Sequence, residues 1–344
     1  MASNKFDEKY DIRLARYDEI DEIMKFIDIH WRKGHIMASN RNFFEYEFVH
    51  DNIVQFVIAK DKTDGKIHGL HGYLLASQNR SDKFDTWGSI WKVVPGSMGL
   101  LGWEIVKRLQ AITGTRAFLS IGGNPETTVP MLKKFQRFED VGKMQHFYCL
   151  SPKKNYRIAK IDHYESFDPP AANEIEIKCF NDFNQLQHNF DFSLIGDSFP
   201  YKDAWYIKRR YFTYPIFSYQ VYGLFDAKSE KAQALIVCRE QEYDGAKALR
   251  IVDYIGKDYL FGNLGEFFRQ NLLEYEYIDL YCYGFNNQFI LQSGMTELKE
   301  EDTNIVPNYF APYVAKNIDI WIGSPKKGAV FFKADGDQDR PNKG

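Results

Sequence analysis

Residues 10–16 alternate Ile12 and Leu14 with polar neighbours, the two-residue period of a half-buried strand. Ile20, Ile23, Met24, Ile27 and Trp31 then recur at three- and four-residue spacing, which predicts a helix with Asp18 as its cap. A second short helix is expected at 43–49. Strands at 53–60 and 67–76 flank Lys62-Thr-Asp-Gly65, whose Asp-Gly pair supplies the positive-φ position of a hairpin turn. A strand at 84–94 stops at Pro95, followed by a helix at 103–109 and a strand at 116–121. Pro130 fits only the first turn of a helix, so the next one is placed at 129–138 with Thr128 as cap, before a strand at 141–150.

The second half replays this order. A strand at 174–178, helices at 181–190 and 203–212, and strands at 217–226, 233–240 and 247–256 precede a helix at 264–273. A strand at 277–283, a helix at 287–292 and a late strand at 318–322 complete it. Each half carries a strand, a glycine-bearing turn, a helix and a further strand, with the glycines at Gly96, Gly99 and Gly102 in one copy and Gly256, Gly262 and Gly265 in the other. The interval from Gly102 to Gly123 nearly matches that from Gly265 to Gly284, and a duplicated β-loop-α-β unit explains the repetition. Residues 151–173 contain Ser151-Pro-Lys-Lys and Asp168-Pro-Pro, lack a period, and read as a linker. The expected organisation is an N-terminal domain at 1–152, a linker at 153–173, a C-terminal domain at 174–334 and a polar tail at 335–344.

Composition agrees with two soluble domains. The 344 residues suit two units of about 150 each. A formal charge of −3 gives no global attraction to nucleic acid or an anionic membrane, so neither is an expected partner. No signal-peptide pattern occurs at 1–10, and no apolar run approaches the roughly 20 residues of a membrane span. Cys149, Cys179, Cys238 and Cys282, with no CxxC pair, are therefore expected as buried free thiols of a cytoplasmic protein. Aromatic residues, at 16%, are expected to fill the core and line a groove.

An order of strand, two helices, three antiparallel strands, glycine turn, helix, strand, helix and strand resembles the GNAT N-acyltransferase superfamily. In that family the turn is Gln/Arg-x-x-Gly-x-Gly/Ala, and its backbone N–H groups hold the pyrophosphate of coenzyme A. Glycine permits close backbone approach, and a helix N-terminus offers unpaired donors and the positive end of a dipole. Gly99 fits the first glycine, while Gly96 stands at the Gln/Arg position and Leu101 at the second small one, with Gly102 a residue later. The resemblance implies a fold class of mixed α/β, two tandem GNAT-like domains, each a mostly antiparallel sheet flanked by helices. It implies acetyl-CoA or another acyl-CoA as donor, held by Val93, Val94, Gly96, Ser97, Met98, Gly99, Leu100, Leu101 and Gly102 and by Asn124 at the end of the next strand.

The whole chain looks like the tandem GNAT-like proteins encoded among bacterial surface-polysaccharide genes. The stretches that carry this are His30-Trp-Arg-Lys-Gly-His-Ile36, Arg250-Ile-Val-Asp253, Val306-Pro-Asn-Tyr-Phe-Ala-Pro312 and Asp335-Gly-Asp-Gln-Asp-Arg-Pro-Asn342. The implied activity is N-acylation of a nucleotide-linked amino sugar in the cytoplasm.

Such a transfer needs a neutral amine, a route for its proton and donors for the tetrahedral oxyanion. Many family members protonate the leaving thiolate with a tyrosine in the helix after the fifth strand; 129–138 has none, and Lys133 and Phe135 lie near that position. His30 and His35 bracket the loop that shapes the acceptor pocket in this superfamily, His71 lies on the third strand, and Asp85 precedes the glycine turn; these are the catalytic candidates, each weighed against a purely structural role. Trp31, Arg250, Asp253, Asp337 and Arg340 are the acceptor-binding candidates, the alternative for Asp253 being an ion pair with Arg250. The tail fails as a calcium loop, with Gly336 at its second position and Arg340 at its sixth, so no metal is expected. No Ser/His/Asp arrangement, zinc spacing, Walker loop or Rossmann unit is visible. Two other readings stand beside the first: a Fem-type aminoacyltransferase using aminoacyl-tRNA, and a GNAT-like binding module without turnover.

Overall fold

The computed structural model describes residues 4–78, 82–152, 155–171 and 173–342. Two compact units emerge, one of residues 1–121 with 340–344 and one of residues 122–339.

In the first unit, β1 (Tyr10–Ala15), β2 (Val49–His50), β3 (Ile53–Asp61), β4 (Ile67–Leu75), β5 (Asp85–Val93) and β6 (Ala117–Ile121) form a sheet in the order β1-β3-β4-β5-β6, with β2 beside β3. Neighbours are antiparallel except β5 and β6, which run parallel over only three residue pairs, Asp85–Trp87 against Ala117–Leu119. The β3–β4 hairpin turns through Gly65 at φ +70°. The helix Leu101–Thr113 buries Leu101, Ile105, Val106 and Leu109, the one-sided stripe its spacing predicts. Phe44 and Phe48 of the helix Arg41–Phe48 pack on Phe56 of β3, with ring centroids 5.5 and 4.7 Å apart. The expected cap at Asp18 is corrected. A short 3-10 turn, Tyr17–Glu19, opens the segment, and the Glu19 carboxylate accepts from the Arg16 N–H at 2.9 Å. Asp18 pairs at the surface with the Arg16 guanidinium instead.

The second unit repeats the pairing scheme. Its strands are β7 (Asp140–Lys143), β8 (Gln145–Leu150), β9 (Glu176–Phe180), β10 (Gln220–Phe225), β11 (Ala234–Tyr243), β12 (Ala246–Gly256), β13 (Tyr277–Tyr283), β14 (Thr296–Glu297), β15 (Tyr309–Phe310), β16 (Tyr313–Val314), β17 (Trp321–Ser324) and β18 (Phe331–Phe332). The main sheet runs β14-β8-β13-β12-β11-β10-β9, with β18 on β13; β7 pairs with β17 and β15 with β16. Strands β9 to β12 are successively antiparallel, and β12 and β13 are parallel over three residue pairs, as β5 and β6 are.

One face of this sheet is apolar. Phe147, Cys149, Ile236, Cys238, Leu249, Ile251, Ile278 and Leu280 pack with Leu264 and Phe268 at the helix Gly265–Asn271. Burying such side chains contributes about 1.5–3 kcal/mol each.

Three expectations change here. The strand predicted at 141–150 breaks at Met144, and β8 pairs with β13 in the second sheet rather than closing the first. Residues 155–171, read as linker, belong to the second unit, where Ile158 is fully buried and Lys160 bridges Ile305. Of the four thiols Cys179 is exposed, because β9 is an edge strand; the others are buried and free.

Candidate active site

The first glycine turn is an open cradle at the start of a 13-residue helix. Val94 donates its N–H to the His68 carbonyl at 2.8 Å, ending the β5 ladder, and Ser97 donates to the Val94 carbonyl at 3.3 Å. Gly96 turns the chain at φ +84°. The Met98 N–H donates to the Tyr10 hydroxyl at 3.1 Å, and the Leu101 N–H to the Met98 carbonyl at 3.1 Å. Among the described residues the N–H groups of Gly99 and Leu100 have no hydrogen-bond partner, and both residues are exposed.

No atom comes within 4 Å of where a Gly99 side chain would begin. Gly102 instead faces inward, where a Cβ would lie 3.3 Å from both Trp91 and Val93, so it serves helix–sheet packing and not ligand approach. Leu100 holds φ +69° as the residue preceding the helix, a left-handed conformation costly for a side chain. The Glu104 carboxylate in the first helical turn is held by Lys107 and Arg108 at 2.9 and 3.0 Å, so its charge does not stand against an incoming anion. The arrangement can bind an anion through free amides and the helix dipole.

Beside this turn β5 and β6 part after the pair Trp87–Leu119. Residue pairing along β5 steps from His71–Trp91 to Tyr73–Gly88, so a bulge opposite Gly72 bends β5 at the same level. His71 sits there. Its ring stacks on Trp91 at 5.2 Å, meets the edge of Phe118 at 5.4 Å, and brings Nε2 within 3.1 Å of the space a Gly88 side chain would occupy. Its Nδ1 is buried without a partner among the described residues, and burial pushes its pKa down to about 3, which keeps the imidazole neutral.

The other two histidines stand elsewhere in the unit. His35 caps the helix Ile36–Ser39, its Nδ1 accepting the Met37 N–H at 3.2 Å, and burial lowers its pKa to about 4. Trp31 meets the His35 ring edge-on at 4.8 Å, while His30 packs on Phe26 at 4.8 Å. Asp85 lies fully buried in an ion pair with Arg116. The tail end returns to this same loop. The Asn342 carbonyl accepts from the Ile36 N–H, Arg32 donates to the Asn342 side chain, and Arg340 pairs with the buried Glu47.

The second glycine turn is closed. A Cβ at Gly256, which holds φ +115°, would lie 2.5 Å from the Gln233 carbonyl oxygen. Pro169 comes within 2.6 Å of the Gly265 position, and Gln292 within 2.8 Å of Gly262. Beyond the pair Ile251–Leu280, where β12 and β13 diverge, the unit's own chain fills the gap. β18 pairs with Cys282 and Tyr283, and the Ala334 N–H donates to the Val252 carbonyl at 2.7 Å. The plug is pinned by Lys202, whose ammonium lies 2.7 Å from both Asp253 and Asp335.

Asp253 therefore pairs with Lys202 and with the Tyr211 hydroxyl, not with Arg250. Arg250 is saturated by Asp279 and by the Pro307 and Asn308 carbonyls. Asn124 spends its side chain on the Glu126 and Thr127 N–H groups, and Asp337 accepts from Gln338 at 3.2 Å. Asp339, in the stretch read as polar tail, is buried beneath Arg239, Arg210 and Tyr219. Sequence reasoning missed Lys202, Arg239, Asp279, Tyr281 and Lys333. The only local signal was the alternation of Asp279 and Tyr281 with the apolar Ile278 and Leu280. Among the described residues, no cluster of three His, Cys, Asp or Glu could hold a metal, and no helix is long and apolar enough to cross a membrane.

No protein-family model matches the sequence, and no curated protein matches it. Solved structures do. A probable N-acyltransferase from Enterococcus faecalis superposes with a TM-score of 0.56 at 10% identity, over 84% of this chain and 70% of that one. A GCN5-related N-acetyltransferase from Anabaena variabilis superposes with a TM-score of 0.54 at 10% identity, over 91% and 72% of the two chains. With its two mostly antiparallel sheets flanked by helices, each holding one short parallel strand pair, the chain has the GNAT-like mixed α/β fold.

Proposed function

We propose that this protein is an N-acyltransferase that takes its acyl group from acetyl-CoA or another acyl-CoA. The observation that carries the reading is the exposed Gly99 turn, with two unpartnered amides at a helix start beside a splayed parallel strand pair. Coenzyme A would place its pyrophosphate on the Gly99 and Leu100 amides and its thioester along the divergence of β5 and β6. The acceptor is a small-molecule amine, which we take to be a nucleotide-linked amino sugar of surface-polysaccharide synthesis in the cytoplasm.

At the divergence the amine nitrogen attacks the thioester carbon. The C–N bond forms as C–S breaks, and the amine proton leaves as the thiolate is protonated. We assign this step to His71, at the bulge beside the divergence, in place of His35, which caps a helix. A neutral imidazole can accept a hydrogen bond from the amine or donate one to the oxyanion without first losing a proton.

Calorimetric titration with coenzyme A tests the donor site. Gly99→Val, whose Cβ meets no protein atom, should fold normally and bind coenzyme A at least tenfold more weakly, because the new side chain covers the free amides. Unchanged affinity in the folded variant would exclude the turn. Acetyl transfer measured with His71→Ala should lose about tenfold or more in kcat/KM.

A further inference from the structure

The polar face of the second sheet carries a buried lysine with no direct ion-pair partner among the described residues. Strand register sets the pattern: His146 of β8 pairs with Tyr281 of β13, and in the next row Tyr148, Asp279, Arg250 and Arg239 follow one another across β8, β13, β12 and β11. Lys333 follows the pair Phe332–Cys282, so it falls beside Tyr281 on this face. Its ammonium lies 5.8 Å from the Tyr281 ring centroid.

Every carboxylate nearby is claimed. Asp279 accepts from Arg250 at 2.6 Å and from His146 at 3.0 Å. Asp339 accepts from Arg239 at 3.1 Å and from Tyr219 at 2.9 Å. Arg210 adds a third guanidinium through the Asp339 carbonyl at 2.6 Å. Three guanidinium groups thus meet two carboxylates before Lys333 is counted. Lys333 is 2% exposed and makes no hydrogen bond or ion pair among the described residues. The Tyr281 and Tyr277 hydroxyls and the Asn308 side-chain amide nitrogen are likewise buried without partners among them.

Buried donors are rarely left unpaired, and a buried ammonium without a counter-ion is costlier still. Burial and the charges of Arg250 and Arg239 push the Lys333 pKa down to about 7, with Asp339 and Asp279 opposing them. The face has surplus donors and surplus positive charge; what it lacks is an acceptor.

We propose that this face is a binding site for a small oxyanion, the carboxylate or phosphate of a ligand, with Lys333 as its counter-ion and the Tyr281 hydroxyl as a supporting donor. This role is independent of acyl transfer, so its test measures binding and not turnover.

Acetate and inorganic phosphate are titrated calorimetrically into the full chain at pH 8, in two buffers of different ionisation enthalpy. An anion seated on Lys333 restores its charge, so acetate or phosphate should bind with uptake of nearly one proton. The probe that binds identifies the carboxylate or the phosphate as the source. Lys333→Met should lose binding at least tenfold and lose the proton uptake. Should Lys333→Met fail to fold, Tyr281→Phe decides, with an expected loss of about threefold to tenfold in affinity and a native circular dichroism spectrum. Binding retained in a folded Lys333→Met, unchanged affinity in Tyr281→Phe, or no binding of any probe to the parent protein overturns the proposal.

Discussion

The two glycine turns descend from one pattern and differ in what stands around them. At Gly99 the space is empty and the flanking amides are free. At Gly256, Gly262 and Gly265 the same freedom from a side chain is spent on contacts with Gln233, Gln292 and Pro169. The difference extends to the strand pairs. β5 and β6 pair only as far as Trp87 and Leu119, whereas β18 and Ala334 occupy the gap between β12 and β13. Packing therefore requires glycine in the second turn, where it admits the protein's own chain, and imposes no such requirement at Gly99.

The contrast breaks most severely at the plug. Lys202→Met should leave Asp253 and Asp335 buried without their cation and cost about 3–5 kcal/mol in urea denaturation. A loss below 1 kcal/mol would show that the plug is not held by this ammonium. Next comes the direct exchange between the turns. Gly256→Val should destabilise by about 3 kcal/mol, since its positive φ and the Gln233 carbonyl both oppose a side chain. Gly99→Val should stay within about 0.5 kcal/mol of the parent.

The buried histidines sharpen the picture of the first unit. His71 and His35 are neutral in the fold, with pKa values lowered to about 3 and about 4. Below pH 6.5 the unfolded chain binds protons that the native state refuses, so stability is complete above that pH and falls as pH drops toward 4. The loss is on the order of 2 kcal/mol per histidine. Chemical denaturation at pH 7.5 and 5.0 measures it, and His35→Asn, which retains a capping side chain, should flatten part of the slope. An effect of opposite sign is expected at Leu100, where Leu100→Gly removes a left-handed side chain and should stabilise by about 1 kcal/mol. A destabilised variant there would mean that the exposed leucine packs usefully.

Much of the fold was legible locally. The strand Tyr277–Tyr283 was marked to the residue, and the apolar period over 103–109 marked the middle of the helix Leu101–Thr113. Element ends moved where hydrogen bonds, not hydrophobicity, set them, as when Asn124 spends its side chain on Glu126 and Thr127 and the helix begins at Thr128. The candidate site was legible in part. Gly99 stood out as a turn glycine, but the inward role of Gly102, the capping role of His35 and the placement of His71 at the bulge all depend on what packs against them.

The sequence by itself determined the elements, their order and the repetition of that order, because periodicity and turn chemistry act over a few residues. Tertiary structure decided the partners. Asp253 meets Lys202, 51 positions away, and not the nearby Arg250, whose donors are taken by Asp279 and the 307–308 carbonyls. Arg32 meets Asn342 across 310 positions, so a tail that reads as polar and solvated returns to the fold. Long-range pairing of charges follows from where the sheets bring the chain back, and burial then fixes which charge remains without a partner.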